Sequence, residues 1–348
     1  LQMIVAPMAA NAQEPVGSMG TDTPLAVLST RPKLLFSYFK QLFAQVTNPP
    51  IDPLREGLVM SLMTFTGKQR NLLDETPEHC RQLKLPHPIL TNSDVECLRA
   101  VGRDDFKVAF LPALFDATDD DGGGAIRRAL EELVEAAETA IGDGASLLVL
   151  SDRGVSREKA PIPSLLATAA VHHGLLRRGL RGEAGIVVES GEPREVMHFC
   201  LLCGYGANAV NPYMAFEAIH KLCDDGELGE DVQHDQLSDQ FITAVKKGIL
   251  KTMAKMGIST LRSYTGAQQF EAIGLNRDVV DAYFTGTPSR IEGVGLEVVG
   301  REARARHRSA FGPRQPGSLA LDFEGEYHYR SDGEGHLWNP ETITRLQH

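Results

Sequence analysis

From residue 106 to residue 210, apolar runs of strand length alternate with amphipathic stretches of helix length, a rhythm few folds accommodate. Residues 106–114 (FKVAFLPAL) predict a strand. Residues 124–141 predict a helix carrying Ile126, Leu130, Leu133, Val134, Ala137 and Ile141 on one side, and residues 145–150 (ASLLVL) a continuous apolar strand. A helix over 164–180, a strand over 185–188, a helix over 195–202 and a strand over 207–210 follow. Repeated strand, helix, strand units of about 20–35 residues dictate a parallel sheet covered by helices. Outside this block, 57–64 (GLVMSLMT), 88–91 and 258–261 predict strands, and 215–222, 239–256, 264–273, 276–283 and 296–310 predict helices. Seven or eight such units favour a (β/α)8-type barrel over an open sheet.

The stretch beginning at Phe36, FSYFKQLFAQVTNPPIDPLRE, makes a second demand. Phe36, Phe39, Leu42, Phe43 and Val46 recur at helical spacing and predict a buried aromatic face. Asn48, Pro49, Pro50 and Pro53 then hold the backbone extended with few free amide donors. The result is a rigid turn showing the Thr47 hydroxyl, the Asn48 amide and bare carbonyls. Such a turn serves as structural punctuation or as a fixed polar wall beside a cavity. Residues 1–28 are loop-like, with Ser18, Met19 and Gly20 forming a tight corner. Beyond Gly312 the chain is rich in Gly, Pro and charge and lacks a core pattern, which predicts a connecting segment over 313–348.

Charge and composition narrow the partners. A net charge of −11 with no block of Lys or Arg argues against nucleic acid or an anionic membrane surface, leaving small molecules and protein surfaces. The apolar runs fall short of the roughly 20 residues of a membrane span. Residues 1–10 lack the basic start of a signal peptide, and a start at Leu1 suggests a piece of a longer chain. Five scattered cysteines fit a reducing cytoplasm.

Several constellations could carry chemistry. Cys200 and Cys203 form a C-x-x-C, but Leu201 and Leu202 lie between them on an apolar helix and no second pair exists, so buried core thiols are expected. The loop DATDDDGGG at 116–124 lacks the alternating ligands of a calcium loop and reads as an acidic lead-in to a helix. GVGLEVVG at 293–300 has the wrong spacing for a dinucleotide fingerprint. His172 and His173 are adjacent on a helix and face apart. Asp152 and Arg153 follow a strand directly, as do Glu189 and Ser190, with Asn208, Asn211 and Tyr213 around the next one, and the C-terminal ends of barrel strands are where sites are built. No phosphate-binding glycine loop accompanies them, which favours salt bridges and caps over catalysis. A free-standing flavin- or phosphate-dependent TIM-barrel enzyme is the alternative that these polar groups keep open.

Taken in order, IVAPM, GSMGTDTPLAVLS, YFKQLFAQVTNPPIDPLRE, NLLDETPEHC, VLSDRG, PIPSLLATAAVHH, VVESGEPREVMHF, GYGANAVNPY, KMGISTLRSYTGAQQFEAIGL and YFTGTPSRIEGVGL resemble the central domain of the glutamate synthase large subunit over nearly the whole chain. The resemblance implies a degenerate (β/α)8 TIM-barrel-like domain over 1–312, followed by a linker at 313–348 that leads into an FMN-binding domain. It implies a non-catalytic role in making two L-glutamate from L-glutamine, 2-oxoglutarate and reductant. The segment would hold the glutaminase and FMN-binding synthase domains apart and line part of the ammonia tunnel between them. FMN and a 3Fe-4S cluster are expected outside the segment. NADPH, NADH or ferredoxin would supply electrons, through a small subunit in some forms. Met19, Thr47 and Asn48 are the tunnel candidates that the resemblance implies.

Overall fold

The alternation predicted from residue 106 onward is present in a computed structural model of the chain, which describes every residue except 16–19, 44–49, 104–105, 119–121, 230–231 and 313–323. The helices are α1 Val5–Asn11, α2 Pro53–Val59, α3 Asn92–Arg99, α4 Gly124–Gly142, α5 Ser164–Arg177, α6 Val196–Gly204, α7 Tyr213–Asp224, α8 His234–Met256, α9 Leu261–Tyr264, α10 Arg277–Tyr283, α11 Leu296–Phe311 and α12 Pro340–Gln347. The strands are β1 Phe39–Gln41, β2 Thr64–Thr66, β3 Leu83–Leu85, β4 Lys107–Pro112, β5 Leu114–Asp116, β6 Ala145–Ser151, β7 Lys159–Pro161, β8 Gly185–Glu189, β9 Ala209–Asn211 and β10 Phe270–Ala272.

β4, β6, β8 and β9 form a parallel sheet in that order, with Leu148 opposite Ile186 and Val188 opposite Val210. A single parallel bridge from Ile89 to Val210 extends it beyond β9. The sheet is buried on both faces, which explains the unbroken apolar run of β6. Leu148, Leu150, Ile186 and Val188 enter the main core with α4, α5 and α6. Leu147, Val149, Val187 and Ala209 face a smaller core made with Val95 and Leu98 of α3. This is the α/β architecture expected of a degenerate barrel, although the described strands do not trace a closed ring of eight.

On the helical side α8 is central, packing against α1, α6 and α7. Gly248 lets it approach α6: a Cβ there would lie 2.4 Å from a methyl of Val196. Gly206, at φ 121°, turns the chain from α6 toward β9 where a Cβ would meet the His172 ring at 2.3 Å.

The structure departs from the sequence-based expectation in several places. Residues 1–28 are not loop throughout: α1 forms over Val5–Asn11 and buries Val5, Met8 and Ala9. The aromatic stretch at Phe36 is a single 3-10 turn, Leu35–Tyr38, running into β1. β1 pairs antiparallel with β10, so the partner that decides its conformation lies some 230 residues away, and Phe43 is exposed where a helical face required it buried. Residues 57–64 are not a buried strand. α2 runs through Val59 at the start of that span, with Asp52 accepting hydrogen bonds from the Leu54 and Arg55 amides (3.1 and 3.0 Å) and Pro53 in its first turn. Residues 258–261 contribute one bridge, Ser61 to Thr260, before α9 begins. Residues 264–273 contain β10. Beyond residue 323 the chain is not pattern-free: α12 forms, and residues 324–338 lie on residues 22–33. There Lys33 pairs with Glu326 and Glu334, Ser29 Oγ donates to Glu334 at 2.7 Å, and His336 pairs with Asp22 at 2.8 Å.

Candidate functional site

The tunnel candidates Met19, Thr47 and Asn48 lie outside the described residues. The chain entering 44–49 is tied to a distant segment, however. Upstream, the Leu42 amide donates to the Gln269 carbonyl at 2.8 Å and the Gln41 side chain to the same carbonyl at 2.9 Å. Downstream, Asp52 caps α2.

At the C-terminal end of the sheet, Ser151, Glu189 and Asn211 stand in register on adjacent strands. Glu189 is fully buried and receives Arg153 Nε at 2.5 Å, Arg99 Nη2 at 2.8 Å and Ser151 Oγ at 2.6 Å. The two guanidiniums also lie over rings, Arg99 4.0 Å from the centroid of Phe110 and Arg153 4.3 Å from that of Tyr213. Asn211 Nδ2 donates to the Leu90 carbonyl and to Asn92 Oδ1, joining the α3 N-terminus to the sheet.

Asp152, 4% exposed, accepts from Ser190 Oγ at 2.6 Å, Tyr213 Oη at 2.7 Å and the Gly191 amide at 3.1 Å. Burial pushes its carboxyl up to about 6, against the pull of the Ser190 and Tyr213 hydroxyls. Burial, with the Asp152 charge beside it, likewise raises the Tyr213 phenol. Glu192, which the sequence did not single out, caps α5 by accepting from Ser164 N at 2.7 Å and Ser164 Oγ at 2.8 Å. Its signal was available: an acid two residues past a strand-end serine, facing a helix that starts with Pro-Ser.

These groups are committed to one another. The cavity beneath Asp152, Ser190 and Ser164 measures about 10 Å3, the room of a single water. The arrangement therefore bolts strands β6, β8 and β9 to α3 and α5 and leaves no space for a substrate at this point. Asn208 belongs elsewhere: its Oδ1 accepts from the Ile186 amide at 2.8 Å, at the opposite end of β8.

The remaining motifs are structural. Cys200 and Cys203 are fully buried, and burial pushes the Cys200 thiol up to about 12 and the Cys203 thiol up as well. The His172 and His173 rings meet edge-on, with centroids 5.0 Å apart. Arg181 donates from Nε to His172 Nδ1 at 2.9 Å, from Nη1 to the Ala184 carbonyl and from Nη2 to the Gly206 carbonyl. Burial and the Arg181 charge drive His172 down to about 3. In the 116–124 loop, Asp116 accepts from the Thr118 amide and hydroxyl, while residues 119–121 lie outside the described set. Among the described residues no three His, Cys, Asp or Glu side chains are grouped to hold a metal ion, and no helix is long and apolar enough to cross a membrane.

The family model described as glutamate synthase central domain matches residues 1–276. The chain is 44% identical over 347 residues to the NADPH glutamate synthase large chain of Bacillus subtilis (strain 168), covering 100% of this chain and 22% of that one. It is 45% identical to the NADH glutamate synthase of Schizosaccharomyces pombe, covering 100% and 16%. It is 42% identical to the chloroplastic ferredoxin-dependent glutamate synthase of Spinacia oleracea, covering 100% and 22%. The chain thus spans 16–22% of the length of these relatives. Likeness to solved structures is distant, as with a flavocytochrome b2 mutant with pyruvate bound, at 10% identity and a TM-score of 0.41 over 92% of this chain and 90% of that one.

Proposed function

The chain belongs to the glutamate synthase central-domain family, and from that premise we propose that it is the non-catalytic middle of a longer glutamate synthase, lining part of an ammonia passage. In this reading the whole polypeptide converts L-glutamine, 2-oxoglutarate and reductant into two L-glutamate in the cytoplasm. A glutaminase domain precedes residues 1–312, and 313–348 lead into an FMN-binding domain. The observation that carries the reading is the commitment of the strand-end groups. Arg99 and Arg153, the cations a flavin phosphate would need there, are held by Glu189, and Asp152 is held by Ser190 and Tyr213. In the same reading FMN and the 3Fe-4S cluster belong to segments outside this one, as do the contacts to ferredoxin or an electron-donating small subunit.

A passage wall needs rigidity and neutral polar groups rather than an acid, base or nucleophile. The bonds from Leu42 and Gln41 to the Gln269 carbonyl, just upstream of residues 44–49, support placing Thr47 and Asn48 on such a wall, with Met19 as the third candidate. The test uses the full-length polypeptide carrying Thr47→Phe, assayed for glutamine hydrolysed against glutamate formed at the expense of reductant. Hydrolysis running in excess of synthesis, with the fold intact, is the expected outcome. A coupling ratio equal to that of the unsubstituted enzyme removes Thr47 from the passage.

A further inference from the structure

On the side of the molecule formed by residues 26–32 and the first half of α11, the surface opens into a cleft of about 270 Å3. That is just under the roughly 300 Å3 at which small-molecule pockets begin, and it suits a metabolite-sized ligand. Its lining mixes apolar groups, Val27 and Pro32 on one side and Val294 and Val298 on the other, with the polar Ser29 and Thr30. Two arginines line it, Arg31 and Arg301, together with one carboxylate, Glu302.

The carboxylate is turned to the protein. Tyr38 Oη donates to both Glu302 oxygens at 3.2 Å, and the Lys33 amide donates to Oε1 at 3.3 Å. Burial raises the Glu302 carboxyl above its ordinary range, against the pull of the Tyr38 hydroxyl and the neighbouring arginines. The neighbouring Lys33 ammonium is spent on Glu326 and Glu334. Arg31 uses one amino group on the Asp332 carbonyl, and a planar guanidinium keeps further donors on its other edge. The charge presented to the cleft is therefore positive.

We propose that this cleft binds a small monocarboxylate with a compact apolar body, the carboxylate held by Arg31 and Arg301 and the body seated against Val27, Val294 and Val298. Guanidinium groups pair with carboxylates through two parallel hydrogen bonds, and apolar walls select the rest of the molecule. The assignment does not depend on the ammonia passage.

Benzoate is a suitable probe, with benzyl alcohol as its uncharged counterpart, each titrated calorimetrically into the 348-residue chain and into the full-length polypeptide. The expected result is benzoate binding to both proteins, at least tenfold weaker for benzyl alcohol and at least tenfold weaker in Arg301→Gln, an exposed position whose replacement leaves the core untouched. Val298→Phe, which fills the cleft, should abolish binding while the far-ultraviolet circular dichroism stays unchanged. Equal affinity for the alcohol, an Arg301→Gln variant that binds as tightly as the original, or binding to the 348-residue chain that vanishes in the full-length polypeptide would each overturn the assignment. The last outcome would mean that another segment of the polypeptide, and not a free acid, fills the cleft.

Discussion

Asp152 shows what burial does to a single group. Its carboxyl titrates near 6 in the fold against an ordinary 3.8, so the folded state binds this proton more tightly than the unfolded chain does. Its contribution to stability is full below pH 3.8, falls as pH rises toward about 6 and is constant above that. The difference corresponds to about 3 kcal/mol. Denaturation midpoints between pH 4 and pH 7.5 should show the unsubstituted protein losing about that much relative to Asp152→Asn, whose amide does not titrate. A difference independent of pH would place the titration elsewhere. Arg181 makes a complementary case, because its one guanidinium satisfies His172, Ala184 and Gly206 together. Arg181→Met leaves three acceptors without a donor, and urea denaturation should register a loss of about 3 kcal/mol. The sequence made Asp152 visible because SDRG follows an apolar strand directly. Arg181 was not visible, since its partners, the His172 ring and the Ala184 and Gly206 carbonyls, come together only when α5, β8 and β9 pack.

Among the elements, those buried on both sides were the easiest to read. The ASLLVL run of β6 and the helical face of α4 sit where the pattern put them, because nearly every position in β6 meets a core and α4 presents one clear stripe. Legibility failed where a distant partner decides. β1 carries Phe36-like helical spacing yet pairs with β10, and nothing local announces Phe270. The Asp-Pro pair at 52–53 satisfied two descriptions at once, a rigid extended turn and the cap and first residue of a helix. Asp52→Ala should therefore cost about 1 kcal/mol and speed amide exchange selectively over residues 54–59. Exchange unchanged in that window would show that α2 is held by something other than its cap.

The whole molecule carries more exposed apolar surface than its own fold explains. Leu54 and Leu58 on α2 are 92% and 85% exposed, and Leu72 and Leu73 are each 90% exposed. A chain that spans 16–22% of its relatives' length is expected to leave such residues for the rest of the polypeptide to cover. The 348-residue chain should accordingly self-associate, and Leu54→Lys with Leu58→Lys should shift sedimentation velocity toward the monomer. No shift would assign the association to another face. Composition hinted at none of this, because exposed leucines in a short helix look like core residues until the fold shows which way they point. Residues 324–338 were equally opaque: a glycine- and charge-rich stretch turned out to clasp residues 22–33 through Lys33, Ser29 and Asp22. Ser29 and Glu334 are 305 residues apart in the chain, so this clasp closes long after its first half has been made. At cellular elongation rates of about 5–20 residues per second, the segment around Lys33 would wait roughly 15–60 s for its carboxylates to emerge from the ribosome. Once the strands that end at Asn211 have emerged, a nascent chain carrying its parallel sheet would still have an open seam until Glu334 follows.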